Sequence, residues 1–175
     1  MQNNSSLNGK VALVTGSGRN IGRATALRLA SLGAAVAVNA RTNESEAKSV
    51  EKEITDNGGQ SVAVLGNVGS ESEVKSMFEK IEGTLGNVTI LVNNAGLYEQ
   101  SEFQDISYSA YKRMLAVNVD APFLLSQGLL SGLRASLSGC IVNITDSAVS
   151  RPYEKYAHYF VSKGALESLT KVLAI

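Results

Sequence analysis

The chain has 175 residues, with 16 basic and 16 acidic side chains and therefore no net charge. No basic stretch favours nucleic acid or anionic lipid, and no apolar run reaches the ~20 residues of a membrane span, so we expect a small-molecule partner. The length suits one domain covering residues 1–175, and a single cysteine, Cys140, allows no disulfide within the chain, which is typical of a cytoplasmic protein.

Strands and helices alternate along the sequence without linkers or repeats. Apolar stretches predict strands at 10–15, 35–39, 61–66, 88–93 and 139–145. Helical patterns predict helices at 20–32, 44–57, 71–85, 107–136 and 154–175. Strands that are apolar throughout and separated by helices form parallel sheets covered on both faces, so we expect an α/β doubly wound parallel sheet, a Rossmann fold, with strand order 3-2-1-4-5. Its ligand crevice would open at the carboxyl ends of strands 1 and 4.

The first predicted strand runs into a glycine-bearing turn, Thr15 to Gly22, and then into a helix. Such a turn lets a pyrophosphate approach the backbone amides and the positive end of the helix. An ordinary tight turn is the alternative, because short glycine patterns often occur by chance. If the turn binds a nucleotide, the contacts fall on Gly16, Arg19, Asn20, Ile21 and Gly22.

The end of the second predicted strand favours NADPH over NADH. An NAD-preferring site usually has an acidic residue there to bind the ribose 2′-hydroxyl, but here no carboxylate occurs before Glu44. Arg41 can instead form charge-assisted hydrogen bonds with a 2′-phosphate. The alternative is a surface arginine that begins the next helix.

Polar side chains also follow the fourth strand and interrupt the fourth helix. Asn94, Ala95 and Gly96 come directly after the strand, where an Asn side chain can bond backbone groups and shape the floor of a crevice. Asn118 lies in the middle of a long helical stretch, although its amide competes with the helix. Each could be an ordinary turn or surface residue.

Tyr159 and Lys163 lie four residues apart in a helical pattern and therefore on one helix face. A neighbouring ammonium stabilises a phenolate, so we expect the pKa of Tyr159 to fall below its ordinary value. Such a phenol can pass a proton to a substrate oxygen or nitrogen. A Tyr and a Lys at this spacing also occur by chance on many helices.

Taken in order, these motifs resemble the short-chain dehydrogenase/reductase family over nearly the whole chain. The shared residues are Thr15-Gly16, Ile21-Gly22, Asn93-Asn94-Ala95-Gly96, Asn118-Val119, Ile141-Val142-Asn143-Ile144, Tyr159 and Lys163. The resemblance implies an NADPH-dependent reductase in which Tyr159 is the acid/base group, Lys163 also holds the nicotinamide ribose, and Asn118 supports the lysine through water.

The chain departs from the family at the catalytic hydroxyl. The family commonly has a Ser thirteen residues before the tyrosine, and that position is Asp146 here. A carboxyl group can carry a proton, and beside a phenol we expect its pKa to be raised. Asp at this position resembles the pteridine reductases, which reduce C=N bonds. The alternative is a ketone or 3-oxoacyl reductase in which Thr145 or Ser147 supplies the hydroxyl.

Two further departures concern the cofactor. Asn20 stands where the family usually has Gly beside the pyrophosphate, but Asn tolerates left-handed backbone angles better than most residues. Asn67, followed by Val68, stands at the end of the third strand where the family often has Asp, and we expect both at the adenine edge.

The remaining expectations concern isolated residues and assembly. We expect Cys140 in the core, His158 in the substrate cleft or in solvent, and no metal site. Residues 1–8 are polar and predict a frayed leader. The helix around Asn118 is apolar on more than one face, so either a second subunit or missing chain should cover it. In the resembling family this helix and the Tyr159 helix form the dimer contact, which implies a homodimer or homotetramer. Apolar residues on this helix are Leu115, Val117, Val119, Phe123, Leu124, Leu125, Leu129, Leu130 and Leu133.

The helical pattern continues to Ile175 with no stop signal. The resembling family continues with at least two further strands and a substrate loop. We therefore expect the C-terminal part to be missing, with a truncated nucleotide-binding protein that cannot turn over as the alternative to an enzyme.

Overall fold

A computed structural model describes residues 6–136 and 139–175, so most of the predicted leader at residues 1–8 lies outside the described residues. The described chain contains a five-stranded parallel sheet with strand order β3-β2-β1-β4-β5, which confirms the predicted topology. The strands are β1 (Val11–Val14), β2 (Ala35–Ala40), β3 (Ser61–Leu65), β4 (Ile90–Asn93) and β5 (Cys140–Asn143).

The predicted helices are present, and the fourth has an internal irregularity. Helices are α1 (Asn20–Ser31), α2 (Glu44–Asp56), α3 (Glu71–Leu85), α4 (Tyr108–Leu115), α5 (Ala121–Ser136) and α6 (Ala157–Leu173). A π-helical segment, Ala116–Asp120, joins α4 to α5, so the predicted helix at 107–136 is continuous but widened in the middle. Single π turns inside α-helices often occur at functional sites. Short 3₁₀ helices cover Phe103–Asp105 and Ser147–Ser150.

Apolar side chains cover both faces of the sheet. On one face, Leu13 and Leu91 pack under α3 and α5, and on the other, Val14 and Val36 pack under α1 and α2. Each fully buried Leu, Ile or Val side chain stabilises the fold by about 1.5–3 kcal/mol. This two-sided burial explains why the strands are apolar throughout.

One glycine allows α3 and α5 to approach closely. A Cβ added at Gly128 would lie 2.5 Å from the ring of Phe78, so only glycine leaves room for the ring.

β5 is the outer strand, and only β4 pairs with it among the described residues. Cys140 is exposed, so the prediction that it lies in the core was wrong. An apolar sequence pattern predicts a buried strand, but an edge strand is covered only as far as its neighbours extend. Val142 is also exposed.

The apolar helix around Asn118 is only partly buried. Leu125 and Leu129 lie in the core, whereas Phe123 and Leu130 are exposed. The side chain of Leu133 lies outside the described residues. Within the described ranges, no helix is both long and apolar enough to cross a membrane.

Candidate functional site

A cleft of about 510 Å³ lies where the carboxyl ends of the inner strands meet the first turn of α1. Its lining includes every predicted cofactor-binding residue other than Tyr159 and Lys163. These are Gly16, Arg19, Asn20, Ile21, Gly22, Arg41, Asn67, Val68, Asn94, Ala95 and Gly96. The structure therefore brings four separate sequence segments together at the crevice expected for this sheet.

The turn after β1 requires glycine at Gly16 for its backbone angle and at Gly22 for lack of space. Gly16 has φ +61°, and a Cβ at Gly22 would lie 2.5 Å from the Gly16 oxygen and 2.6 Å from Asn94 Nδ2. Asn20 also adopts a left-handed backbone, with φ 50°. No side chain among the described residues caps the first turn of α1 at Arg19, so its amide N–H groups remain available to an anion. This cradle fits a pyrophosphate.

Asn39 holds the turn in place, and sequence reasoning missed it. Its Oδ1 accepts a hydrogen bond from Gly16 N at 3.1 Å, and its Nδ2 donates to Gly66 O at 3.2 Å. The residue is almost fully buried at the end of β2. The available signal was a polar residue within an otherwise apolar strand, because a buried amide needs partners for all its polar atoms.

Thr15 and Asn94 join the turn to the end of β4. Thr15 Oγ1 accepts hydrogen bonds from the amides of Asn94 at 3.0 Å and Ala95 at 2.9 Å. Asn94 Nδ2 donates in return to Thr15 O at 2.8 Å. The Asn94 side chain therefore shapes the crevice floor, as expected from its position after the strand.

Arg41 and Asn67 both line the cleft but differ in their hydrogen bonding. Arg41 is exposed and makes no hydrogen bond or ion pair with any other described residue. Asn67 Oδ1 accepts from Gly69 N at 3.1 Å, and Asn67 N donates to Glu73 Oε2 at 2.8 Å. Asn67 is thus occupied in its own loop, and Arg41 is the available charged group.

Tyr159 and Asp146 form a second polar group near this cleft. Tyr159 Oη donates a hydrogen bond to Asp146 Oδ2 at 2.7 Å, and Asp146 Oδ1 accepts from Ala148 N at 2.8 Å. Asp146, and not its neighbours Thr145 or Ser147, accepts the bond from the phenol.

Lys163 donates a hydrogen bond to the backbone and not to the Tyr159 hydroxyl. Its Nζ donates to Ile144 O at 2.7 Å and lies 5.9 Å from the centre of the Tyr159 ring. A Cβ at Gly96 would lie 3.8 Å from this Nζ. Gly96 therefore marks the place where the glycine-lined cleft reaches the lysine.

The pKa values of Tyr159 and Asp146 are shifted in directions that contradict two expectations. Burial, together with the hydrogen bond and negative charge of Asp146, raises the pKa of Tyr159, whereas we expected Lys163 to lower it. The bond from Ala148 N, followed by the bond from Tyr159, lowers the pKa of Asp146, whereas we expected it to be raised. The phenol donates to a carboxylate that is stable as an anion, and Lys163 is not among the groups that shift the pKa of Tyr159.

Burial lowers the pKa of Lys163 below its ordinary value, and the charge of Asp146 partly opposes that change. At neutral pH the group therefore contains an anionic carboxylate, a neutral phenol and an ammonium that is easier to deprotonate than a surface lysine.

Asn118 lies in the π-helical segment, and its side-chain amide forms hydrogen bonds with the loop after β4. Its Nδ2 donates to Leu97 O at 3.0 Å and to Ser162 Oγ at 2.9 Å, and its Oδ1 accepts from Leu97 N at 2.8 Å. These bonds explain a mid-helix Asn without any ligand. One lone pair of Oδ1 remains for the water through which the resemblance links Asn118 to Lys163.

His158 is buried, with 3% of its surface exposed, so the alternative that it points to solvent was wrong. Its Nδ1 has no hydrogen-bond partner among the described residues. No group of three or more His, Cys, Asp or Glu residues in the described part of the chain could hold a metal ion.

Sequence reasoning also missed an aromatic cluster beside Tyr159. Tyr98 stacks on Tyr156 with ring centres 4.5 Å apart and meets Tyr159 edge-on at 4.8 Å. Tyr153 and Phe160 extend the cluster. Because Tyr98 follows β4 and the others lie in or near α6, only the tertiary fold brings these rings together.

The chain matches the sequence model of the family described as short chain dehydrogenase over residues 10–175. It is 36% identical over 167 residues to an uncharacterized oxidoreductase of Thermotoga maritima, covering 95% of this chain and 65% of that protein. It is 35% identical over 181 residues to NADPH-dependent aldehyde reductase 2, chloroplastic, of Arabidopsis thaliana, covering 96% of this chain and 66% of that protein. The chain thus spans slightly less than two thirds of the length of each relative.

Among solved structures, the chain is similar to a gluconate 5-dehydrogenase from Burkholderia cenocepacia in complex with NADP and tartrate. The TM-score is 0.89 at 31% identity, and the match covers 98% of this chain and 67% of that one.

Proposed function

The chain belongs to the short-chain dehydrogenase family, and we propose that it is an NADPH-dependent reductase that transfers hydride to a C=O or pterin-like C=N group of a small molecule. The observation that carries the proposal is the 2.7 Å hydrogen bond between Tyr159 and Asp146. Lys163 connects it with the cleft, because its Nζ lies 5.9 Å from the centre of the Tyr159 ring and 3.8 Å from where a Cβ at Gly96 would be. It puts a proton donor beside the place where a nicotinamide would be held.

The proposed cofactor site uses the residues of the cleft. The first turn of α1 and the Gly16 region would hold the pyrophosphate, and Arg41 would bind the 2′-phosphate. Lys163 would bind the nicotinamide ribose near Gly96. When bound, NADPH supplies the hydride. The NADPH-dependent relative and the solved structure that contains NADP support this choice of cofactor.

In the proposed reaction, Tyr159 donates its proton to the substrate atom next to the carbon that is reduced. The phenolate that forms would lie beside the Asp146 carboxylate, and two adjacent negative charges repel each other. The proton must therefore be replaced, and we assign this step to Lys163, whose Nζ lies 5.9 Å from the centre of the Tyr159 ring. Its lowered pKa favours that transfer.

The charge of Asp146 favours a C=N substrate over a ketone. An anionic carboxylate stabilises the positive charge of a protonated C=N group, whereas it repels the negative charge that develops on a carbonyl oxygen. The same carboxylate can accept hydrogen bonds from the N–H groups of a pterin-like ring. The preference for a C=N group therefore requires Asp146 to be an anion, not a proton carrier.

The test is a turnover assay of the chain with NADPH and three substrate classes: ketones, 3-oxoacyl thioesters and pterins. We expect Tyr159→Phe to reduce turnover by roughly 10²–10⁴ while NADPH affinity stays nearly unchanged. Tyr108→Phe, at an exposed tyrosine on α4, is the matched control. NADPH binding without turnover of any class would favour the non-catalytic alternative, and no NADPH binding would refute the proposal.

We also propose a homodimer or homotetramer. Phe123 and Leu130 on α5 and Val161 on α6 are exposed apolar residues that a second copy could cover. Mass measurement in solution, with Phe123→Asp as the disrupting variant, tests this. A cytoplasmic location stays a prediction from the single cysteine.

A further inference from the structure

Three polar side chains connect the ends of two strands to α6. Asn93 and Asn143 are the last residues of β4 and β5 and lie opposite each other in the sheet. Asn93 Nδ2 donates a hydrogen bond to Asn143 Oδ1 at 2.7 Å. Asn143 Nδ2 donates in turn to Thr170 Oγ1 at 2.9 Å, and the Thr170 hydroxyl donates to Leu166 O at 2.7 Å. We name these three side chains, Asn93, Asn143 and Thr170, the strand–helix link.

A second hydrogen bond attaches the same helix to the end of β5. Ile144 directly follows Asn143, and its carbonyl oxygen accepts a hydrogen bond from Lys163 Nζ at 2.7 Å. Lys163 and Thr170 are seven residues apart on α6, which is two helical turns, so they lie on the same helix face. The two attachments are therefore about 10 Å apart along the helix axis. A single attachment would allow α6 to slide or turn against β5, whereas two restrict both motions.

The Lys163 ammonium depends on this alignment because it is almost fully buried. Burial lowers its pKa, and Asp146 is the titratable group whose charge opposes that change. A buried ammonium has lost most of its solvating water, so its remaining hydrogen bonds must be well placed. The position of α6 over the end of β5 decides how closely Nζ approaches Ile144 O.

The link is present although it leaves one buried atom unsatisfied. Asn93 is almost fully buried, and its Oδ1 has no hydrogen-bond partner among the described residues. The rest of β4, Ile90-Leu91-Val92, is apolar, so an apolar residue at this position would avoid that cost. Positions that break the local pattern in this way are expected at functional sites.

We propose that Asn143 and Thr170 are positioning residues for the lysine of the candidate site. Through the strand–helix link they fix α6 over the ends of β4 and β5, and this alignment fixes how the Lys163 ammonium is held. Tyr159 lies on the same helix and donates to Asp146 in the segment after β5, so that bond depends on the same alignment. The effect on turnover rests on the proposed function, whereas the effect on Lys163 does not.

The test removes the Thr170 hydroxyl and then restores it. Thr170→Val keeps the shape of the side chain and loses both hydrogen bonds, whereas Thr170→Ser keeps the hydroxyl. Thr170 is exposed, so neither change opens a cavity in the core. Thr84→Val on α3 is the matched control. Thr84 is also exposed and donates to the carbonyl four residues earlier, Lys80 O, at 2.8 Å, but its side chain bonds to no strand in the described part of the chain.

The readout is an NMR titration of the whole chain labelled with ¹³C at the lysine carbon next to the ammonium, and Lys163→Arg identifies the signal. In Thr170→Val we expect the ammonium to reach water more readily, so that its pKa rises toward the ordinary value of 10.5. The proton affinity of Lys163 should increase about threefold to tenfold, the range for one net hydrogen bond. Thr170→Ser and Thr84→Val should titrate like the native chain. An unchanged titration in Thr170→Val, or an equal change in Thr170→Ser, would overturn the proposal.

Asn143→Ala tests the same link from the strand. If Asn143 and Thr170 act through one bond, the variant that combines Asn143→Ala with Thr170→Val should shift the Lys163 titration no more than Asn143→Ala alone. Additive shifts would show independent effects and contradict the link. Urea titration records the stability of each variant, and if Asn143→Ala does not fold, the three Thr variants still decide the question.

Failure of this proposal and failure of the proposed function give different results. If the link does not position Lys163, Thr170→Val keeps the native titration and the native kcat while the chain still oxidises NADPH. If the chain is not a reductase, no substrate class is turned over, yet the Lys163 titration still responds to Thr170→Val. If both proposals hold, kcat falls about threefold to tenfold in Thr170→Val. The KM for the substrate then stays nearly unchanged, because no residue of the link lines the cleft.

Discussion

Replacing Asp146 with Asn should lower the pKa of Tyr159 toward its ordinary value of 10.0. In the native protein, the phenol donates to an anionic carboxylate, so its ionisation would both break a charge-assisted bond and place two negative charges together. An amide oxygen at the same position still accepts the bond but has no net charge. Burial of the phenol, which is the larger cause of the raised pKa, is unchanged.

The size of the effect follows from the bond that is weakened. A hydrogen bond to a charged group contributes about 1.5–3 kcal/mol, against about 0.5–1.5 kcal/mol for a neutral pair. The difference of roughly 1–1.5 kcal/mol corresponds to about one pKa unit. The loss of repulsion adds to this, so we expect a fall of about one to two units, with the pKa of Tyr159 still above its ordinary value.

The assay is an NMR titration of the chain labelled with ¹³C at the tyrosine ring carbon that bears the hydroxyl. Tyr159→Phe identifies the signal, and circular dichroism at each pH defines the range in which the fold persists. An identical Tyr159 titration in native protein and Asp146→Asn would refute the electrostatic reasoning. In turnover, a C=N substrate should lose most of its rate in Asp146→Asn, whereas a ketone should lose little.

Three other substitutions test the cleft. Gly22→Ala should weaken NADPH binding at least tenfold, because its Cβ would lie 2.5 Å from a backbone oxygen of the turn, whereas Gly83→Ala on α3 meets nothing within 4 Å and should leave the affinity unchanged in fluorescence titrations. Arg41→Ala should lower NADPH affinity by roughly tenfold to a hundredfold without affecting NADH, through loss of a charge-assisted bond; Arg28→Ala is the exposed control, and equal losses for both cofactors would contradict the assignment. Asn39→Ala should lower the free energy of unfolding by about 1–3 kcal/mol in urea titrations because buried backbone groups lose their partners; an unchanged midpoint would show that these bonds are replaced.

The fold could be predicted because its signals are local. Each strand is a short apolar run, and each helix has its own period, so β1 to β5 follow from neighbouring residues alone. Strand order then follows from the handedness of crossovers. The glycine turn could be predicted for the same reason. Of the three atoms nearest to a Cβ at Gly22, two belong to Gly16 and Ser17, which are close in sequence.

The charges of the site could not be predicted from spacing. Tyr159 and Lys163 share a helix face, as their separation requires, but the lysine ammonium extends to Ile144 O and leaves the phenol to Asp146. A pKa depends on distances of a few ångströms between groups that are distant in sequence. The expected directions for Tyr159 and Asp146 were therefore both reversed.

Asn118 shows why selecting a residue from the sequence does not establish its role. The sequence identifies it because an amide in mid-helix needs a partner, and the structure supplies one: both hydrogen bonds to Leu97 are made by this side chain. Leu97 follows Gly96, where the cleft reaches Lys163, and precedes Tyr98. Asn118 therefore fixes the loop that carries the end of the cofactor cleft and the aromatic ring beside Tyr159. A π turn is suited to this task, since the widened segment presents a buried amide from the helix. Positioning the loop and holding a water for Lys163 are compatible roles, because the bonds to Leu97 use one N–H group and one lone pair, Nδ2 also donates to Ser162 on α6, and a water needs only the remaining lone pair of Oδ1.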